Sequence, residues 1–514
     1  MAVVLSVLTG CYLPRPQAIP PVISTPLATT VAADALPSAI TESPATATST
    51  QKADSTQPAA PTPSVEPSAT PEQVSYPLTQ YTLNASLVFD LRQVLVVEGI
   101  TYVHAAPEAV QELLLVVEAN RYPGCFQLID IRLEGDVEEV KYQLRDTRLV
   151  VTLPKPLGQG EQAKVVLRYR LDLPPIPPPQ DGSRPQPFGY TSRQVNLVDW
   201  YPYLPPYRPG QGWQMHDPWF FGEHQVYESA DYTVTIRLEG SGEVAGQPIQ
   251  IAASAPARLE DGAYIYRFEK ARSFAWSASP VYQVLSEQVG DVIVQSYAFP
   301  FHEEASRAAL RHTADALRLY QELFAPYPHQ SLAVVEADFL DGMEYDGLFF
   351  LSRGFYNLYE GTPAGYLTAI AVHETAHQWW YGLVGNDQAL EPWLDEALCT
   401  YSEALFYERV YPDLLDWWWM FRVNYYQPTG VVNGRIFDFP GFRPYRDAVY
   451  LRGAQFLEAL RDEVGDEAFF AFLQDYARRF AFRQATAADF FEVLAEHSSV
   501  DTSRLLKPYF EQSR

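Results

Sequence analysis

Cysteine is nearly absent: three in 514 residues, at Cys11, Cys125 and Cys399. Three cannot all pair, and their spacing fits no zinc or redox motif. Cys125 and Cys399 lie in apolar surroundings and are expected as buried free thiols. Positive charge is scarce too. Lys plus Arg total 37 against 63 Asp plus Glu, a formal net charge of -26. Such a surface repels phosphate backbones, so no nucleic-acid partner is expected. The apolar run from Val3 to Leu8 is too short to span a membrane.

What is present falls into four parts. Residues 1–11 end in Leu8-Thr9-Gly10-Cys11, which looks like a bacterial lipobox, although no Lys or Arg precedes the apolar run. On that reading Cys11 is lipidated, and the chain is held on the extracytoplasmic face of a bacterial membrane by this anchor alone. Residues 12–76 are rich in Pro, Ser, Thr and Ala, too poor in large apolar groups to offset ordering entropy, and are expected as a disordered stalk. Residues 77–285 carry a period of two, as in Tyr81, Leu83, Ala85, Leu87 and again Tyr232, Val234, Ile236, Leu238, which predicts half-buried antiparallel strands. The aromatic segment from Trp200 to Tyr207 fits a place between domains, in a core or on a surface. Residues 286–514 change period. Leu310, Ala314, Leu317, Tyr320 and Phe324 share a helix face, Leu332–Val335 reads as a strand, and helices are expected at 455–463, 466–479 and 486–497. The fold class is therefore multidomain α+β, a sheet domain followed by a mainly helical one.

His373-Glu374-Thr375-Ala376-His377 carries the chemistry. A helix is expected to start at Thr362-Pro363 and run to about Tyr381. Positions i and i+4 share a helix face, so both imidazoles can reach one ion. Zinc suits two imidazoles and a carboxylate with one position open to water. Glu374 neighbours the first ligand and can take that water's proton. Glu396, inside a second helix that Pro392 can open, is the candidate third ligand; Gly382, Gly385 and Asn386 supply the turn between the helices. Packed or surface histidines and solvated carboxylates are the alternative, set against the apolar neighbours Val372, Ala376, Trp379, Trp380 and Leu394.

The stretch His373–Trp379 followed by Trp393-Leu394-Asp395-Glu396 resembles the zinc aminopeptidases typified by aminopeptidase N, which are gluzincins. The resemblance implies a thermolysin-like catalytic domain with one zinc ion on His373, His377 and Glu396, with Glu374 as general base. Gly342-Met343-Glu344-Tyr345 is similar to the family's Gly-x-Met-Glu-Asn edge strand, whose glutamate binds the substrate's α-amine; Glu344 takes that place, a plain turn carboxylate being the alternative. Tyr450-Leu451-Arg452-Gly453-Ala454 resembles the family's Tyr-x-Lys-Gly-Ala segment, whose tyrosine stabilises the oxyanion; a packed helix tyrosine is the alternative. Tyr345 stands for Asn, Asp341 for a small residue and Arg452 for Lys, and the carboxamide or carboxylate that the family's sheet domain lends to the amine site has no evident counterpart. The large helical C-terminal domain of many members is not matched, which implies an open cleft. The expected substrate is a peptide trimmed from its N-terminus; an endopeptidase on the same scaffold, or a non-catalytic peptide-binding surface protein, are the other readings.

Overall fold

The computed structural model describes residues 76–135, 139–178, 185–240 and 242–511. Cys11, the segment 1–11 and the stalk as far as residue 75 lie outside the described residues.

The period-two segments form a seven-stranded sheet in the order Ala257–Glu260, Ala263–Ala271, Ala230–Leu238, Thr79–Val88, Gln93–Val103, Gln162–Asp172, Phe126–Leu133. Tyr81, Leu83, Ala85 and Leu87 are buried while Thr82 and Asn84 between them are exposed, so one face meets the core and one meets water. The sheet is not wholly antiparallel. Thr79–Val88 and Ala230–Leu238 pair in parallel. Alternation of side chains reports burial but not strand direction, and the long connection between these two strands allows the crossover that parallel pairing requires. Two smaller sheets, one of three strands and one of four, and two two-stranded ribbons complete the described residues of this half. The aromatic segment lies in their core: Trp200, Tyr201, Tyr203 and Leu204 are buried, and Trp200 Nε1 donates to the Phe274 carbonyl at 3.0 Å.

Glu98 is an odd member of that core. Its side chain is fully buried and neither carboxyl oxygen has a partner meeting hydrogen-bond geometry among the described residues. Burial raises its pKa well above 4.5, with the Tyr169 hydroxyl opposing. The folded chain thus holds a proton that the unfolded chain releases near pH 4.5. The contribution of Glu98 to stability is therefore best below that pH and declines as pH rises through 4.5 and beyond. Glu98→Gln removes the ionisation and is expected to raise the unfolding free energy at pH 8 by about 1–3 kcal/mol, with no gain at pH 4. Denaturant titrations at the two pH values check this, and equal shifts at both would count against a buried ionisable acid.

The second half begins on a five-stranded mixed sheet in the order Gln283–Val289, Val292–Ala298, Ser331–Ala337, Leu348–Ser352, Gly342–Tyr345. Its first strand straddles residue 285, where the change of period places the domain border. Gly342–Tyr345 is an edge strand, antiparallel to Leu348–Ser352. Helices follow: α1 (Glu303–Leu323), α2 (Tyr366–Ala376), α3 (Trp393–Val410), α4 (Arg452–Val464), α5 (Asp466–Arg479) and α6 (Ala487–His497). From Leu367 to Ala376 every residue of α2 is buried, as a helix enclosed on all sides by other elements requires. Cys125 and Cys399 are buried and unpaired. No helix among the described residues is long and apolar enough to cross a membrane.

Helix α2 starts later than the Thr362-Pro363 signal predicts. The Thr362 hydroxyl accepts from Ala364 N at 3.3 Å, and Gly365 N donates to the Pro363 carbonyl at 2.9 Å, so both residues are used in a local turn. The turn after α2 also differs. Tyr381, not a glycine, has positive φ, at 133°. Gly382 and Gly385 are needed for room: a Cβ would lie 2.3 Å from Asp346 Oδ1 at the first and 2.3 Å from the Arg272 guanidinium carbon at the second. Arg272 comes from the sheet domain and is 1% exposed. Its guanidinium donates to the carbonyls of Tyr227, Tyr381, Gly382, Leu383 and Arg483, at 2.5–3.4 Å. The loop that follows the metal-site helix is thereby fastened to the sheet domain.

Candidate metal centre

Helices α2 and α3 bring His373, His377 and Glu396 together. His373 Nε2 lies 3.2 Å from His377 Nε2 and 3.3 Å from Glu396 Oε2, and His377 Nε2 lies 3.5 Å from the same oxygen. The outer ring nitrogens face acceptors. His377 Nδ1 is 3.1 Å from the Trp380 carbonyl and His373 Nδ1 is 2.9 Å from Glu403 Oε1. A carbonyl and a carboxylate only accept, so both Nδ1 atoms carry hydrogens and donate outward. Two bare Nε2 lone pairs and a carboxylate oxygen then point at one spot. That arrangement repels itself unless a cation, a proton or a divalent metal, sits there. The demand for positive charge is visible in His373, which burial would pull down but Glu396 and Glu403 push up to about 9. Two imidazoles and a carboxylate are the donor types zinc takes. The residues therefore fit the group.

Glu403 was not foreseen. It lies two turns beyond Glu396 on α3, is fully buried, and accepts from Trp418 Nε1 at 3.0 Å and from Arg422 at two atoms, each 2.9 Å. Burial alone would raise its carboxyl, but Arg422 and His373 outweigh that and hold it below the usual range. Its role is to orient His373. Glu403→Gln is expected to weaken divalent-cation affinity about ten- to hundredfold, read by competition with a chelator; wild-type affinity in the variant would detach Glu403 from the site.

Glu374 is 5% exposed, and its Oε2 has no hydrogen-bond partner among the described residues. Burial, aided by Glu344 and Glu396 and opposed by the two histidines, pushes it up to about 8. Across from it runs the edge strand. Gly342 approaches so closely that a Cβ there would stand 2.1 Å from Glu374 Oε1. Glu344, two positions on and therefore on the same strand face, offers an oxygen within 4.8 Å of donors on Glu374 and His377. Gln388 Nε2 donates to Glu344 Oε1 at 3.1 Å and to Asp395 Oδ2 at 2.8 Å, tying the strand to the start of α3. Met343 is half-buried on the opposite strand face.

A second unforeseen residue comes from the sheet domain. Glu223 groups with Glu344 and Glu396 within 4.8 Å. Gly222 before it has φ of 68° and packs where a Cβ would lie 3.2 Å from the Tyr445 ring, so glycine is required to carry Glu223 into the cleft. The loop Trp219–Glu223 has no periodic signal, and sequence reasoning had no handle on it.

Tyr450 sits in a π-helical turn, Asp447–Leu451, just before α4. Such turns are frequent at functional sites. Its hydroxyl donates to Glu396 Oε1 at 2.5 Å, and its ring lies parallel to that of His373 with centroids 6.1 Å apart. Gly453 explains the approach: a Cβ there would meet Ala397 Cβ at 2.4 Å, so the two helices touch through bare backbone next to Glu396.

Fold and donors define a class, a sheet-rich half joined to a helical half that carries a His-Glu-x-x-His helix and a carboxylate from the helix after it. The chain has the fold of M1 zinc metallopeptidases: the enzyme of that name from Deinococcus radiodurans superposes with TM-score 0.58 at 18% identity, over 85% of this chain and 96% of the other. No family model matches the chain. In sequence it is similar to human endoplasmic reticulum aminopeptidase 2, 26% identical over 219 residues, covering 40% of this chain and 23% of the relative. It is also similar to aminopeptidase N of Streptomyces lividans, 29% identical over 154 residues, covering 28% of this chain and 18% of the relative. The matches span about a quarter of these curated relatives' length or less.

Proposed function

We propose that the chain is a zinc-dependent aminopeptidase. The observation that carries this is the convergence of His373, His377 and Glu396 on one point, with Glu374, whose Oε2 has no hydrogen-bond partner among the described residues, on the side where the edge strand runs. Zinc, when bound, supplies a Lewis acid that polarises the scissile carbonyl and acidifies water. Glu374 takes the proton of the attacking water on its free oxygen and returns it to the leaving amine. Tyr450 offers its hydroxyl to the negative charge that develops on the carbonyl oxygen. Glu344 and Glu223 place two carboxylates where a third, Glu396, is already close; a substrate ammonium relieves that repulsion, whereas an internal peptide N–H cannot. This is why the first residue of a chain is favoured.

Related proteins support the reading. Those similar in sequence are named aminopeptidases, and a structure of the Deinococcus radiodurans enzyme holds the peptide Tyr-Ser-Ala. The test is to load the protein with zinc and offer an aminoacyl-fluorogenic substrate with a free or an acetylated amine. Release from the free form alone is expected. Equal release from both would make the protein an endopeptidase, and none from either a peptide-binding protein.

We propose in addition that Cys11 carries a lipid that tethers the protein to the membrane surface. Leu8-Thr9-Gly10-Cys11 and the Pro- and Ser-rich stretch after it support this. Incorporation of a labelled fatty acid that persists in Cys11→Ser would end the idea.

A further inference from the structure

We propose that Asp341 makes the enzyme prefer peptides whose second residue is cationic, Lys or Arg. This rests on the aminopeptidase reading and adds a substrate class to it.

The direction of the bound peptide comes from the edge strand. Glu344, the amine anchor, offers an oxygen within 4.8 Å of both His377 and Glu374, and Gly342, two residues earlier, is packed directly against the Glu374 carboxyl. A peptide with its ammonium at Glu344 therefore runs backwards along the strand, passes the catalytic base at its first peptide bond, and carries its second residue toward Asp341, at about 3.3 Å per residue. Burial raises the pKa of both carboxyls; Arg422 and His373 oppose this at Asp341 and His377 opposes it at Glu344, with Glu396 facing both.

Asp341 itself is built to present a charge. Its backbone is pinned, since Ser352 N donates to its carbonyl at 3.0 Å, and its φ of 71° is left-handed. Glycine or asparagine would satisfy that conformation without a charge, so the turn does not require a carboxylate. The residue is exposed, its one side-chain hydrogen bond among the described residues comes from Gly342 N at 3.2 Å, and Arg422 favours its charged form against the desolvation that raises its pKa. Arg422, the nearby cation, is committed at two atoms to Glu403. A negative charge thus faces the leaving half of the substrate without a committed counter-ion. A Lys or Arg there is paired; a Glu or Asp is repelled.

The experiment compares two hexapeptides of equal net charge, Ala-Lys-Gly-Gly-Gly-Glu and Ala-Glu-Gly-Gly-Gly-Lys. Equal charge removes long-range steering by the acidic protein. The expected ratio of kcat/KM, first over second, is about tenfold or more for the wild-type enzyme and close to one in Asp341→Asn, which keeps the left-handed turn. Asp341→Gly gives a second reading if the Asn variant does not fold. A wild-type ratio near one, or an unchanged ratio in the variants, overturns the proposal while leaving the aminopeptidase intact. Failure of the wild type to release alanine from either peptide would instead strike the aminopeptidase reading.

Discussion

Glu374→Gln is expected to bind a divalent cation as the wild type does and to lose at least about 10³-fold in kcat. The amide matches the carboxylate in shape, and Glu374 is not one of the three converging donors, so the metal site has no reason to change. What disappears is a buried carboxylate whose Oε2 has no hydrogen-bond partner among the described residues. In the folded chain this carboxyl is held high, about 8 without a metal, by burial first and by Glu344 and Glu396 next. A base with a raised pKa takes a proton more willingly than an exposed glutamate does, and that is what the substitution removes. Metal content by elemental analysis and turnover of a fluorogenic aminoacyl substrate separate the two effects. Turnover within tenfold of wild type would move the base elsewhere.

Gly342→Ala is expected to lower kcat/KM by about 10²-fold with little change in thermal midpoint. The backbone at Gly342 is not left-handed, so alanine can adopt it. The cost is one of space. The added methyl would stand 2.1 Å from Glu374 Oε1 and 2.8 Å from Ile370 Cγ2, and one of them must move. Ile370 belongs to the packed face of α2 and yields less easily than a carboxylate, so Glu374 shifts away from the reacting atoms. Gly365→Ala is the matched control: it lies at the start of the same helix with nothing within 4 Å of the new methyl. Equal activity in both variants would show that the position of Glu374 tolerates an ångström of displacement.

The converging donors were legible because helix geometry translates directly into spacing. His373 and His377 are one turn apart, and Glu396 heads a helix that must return after a short connection. The edge strand was legible only through its resemblance to the Gly-x-Met-Glu-Asn segment, since four residues give no alternation to count. Glu403 was within reach of the same reasoning, seven residues and hence two turns past Glu396, but a buried glutamate in an apolar helix gives no sign of its partner until Arg422 is placed. Arg422 itself lies in a π-helical turn, Trp419–Val423, where neither helical period applies. Glu223 was beyond reach, because it arrives from a different domain on an irregular loop. The strand Leu348–Ser352 is buried at every position, and a short apolar run of that kind cannot be told from a helix segment by pattern.

Arg272 shows what the sheet domain is for. It fills five carbonyl acceptors that would otherwise be stranded in a dry interior, most of them on the turn that closes the zinc-site helix. Truncating the chain to its helical half would take away this clamp together with Glu223, leaving the amine end of the groove without one wall. The two halves therefore make one indivisible body, and a minimal version of the protein has to begin ahead of Thr79, the first residue of the seven-stranded sheet.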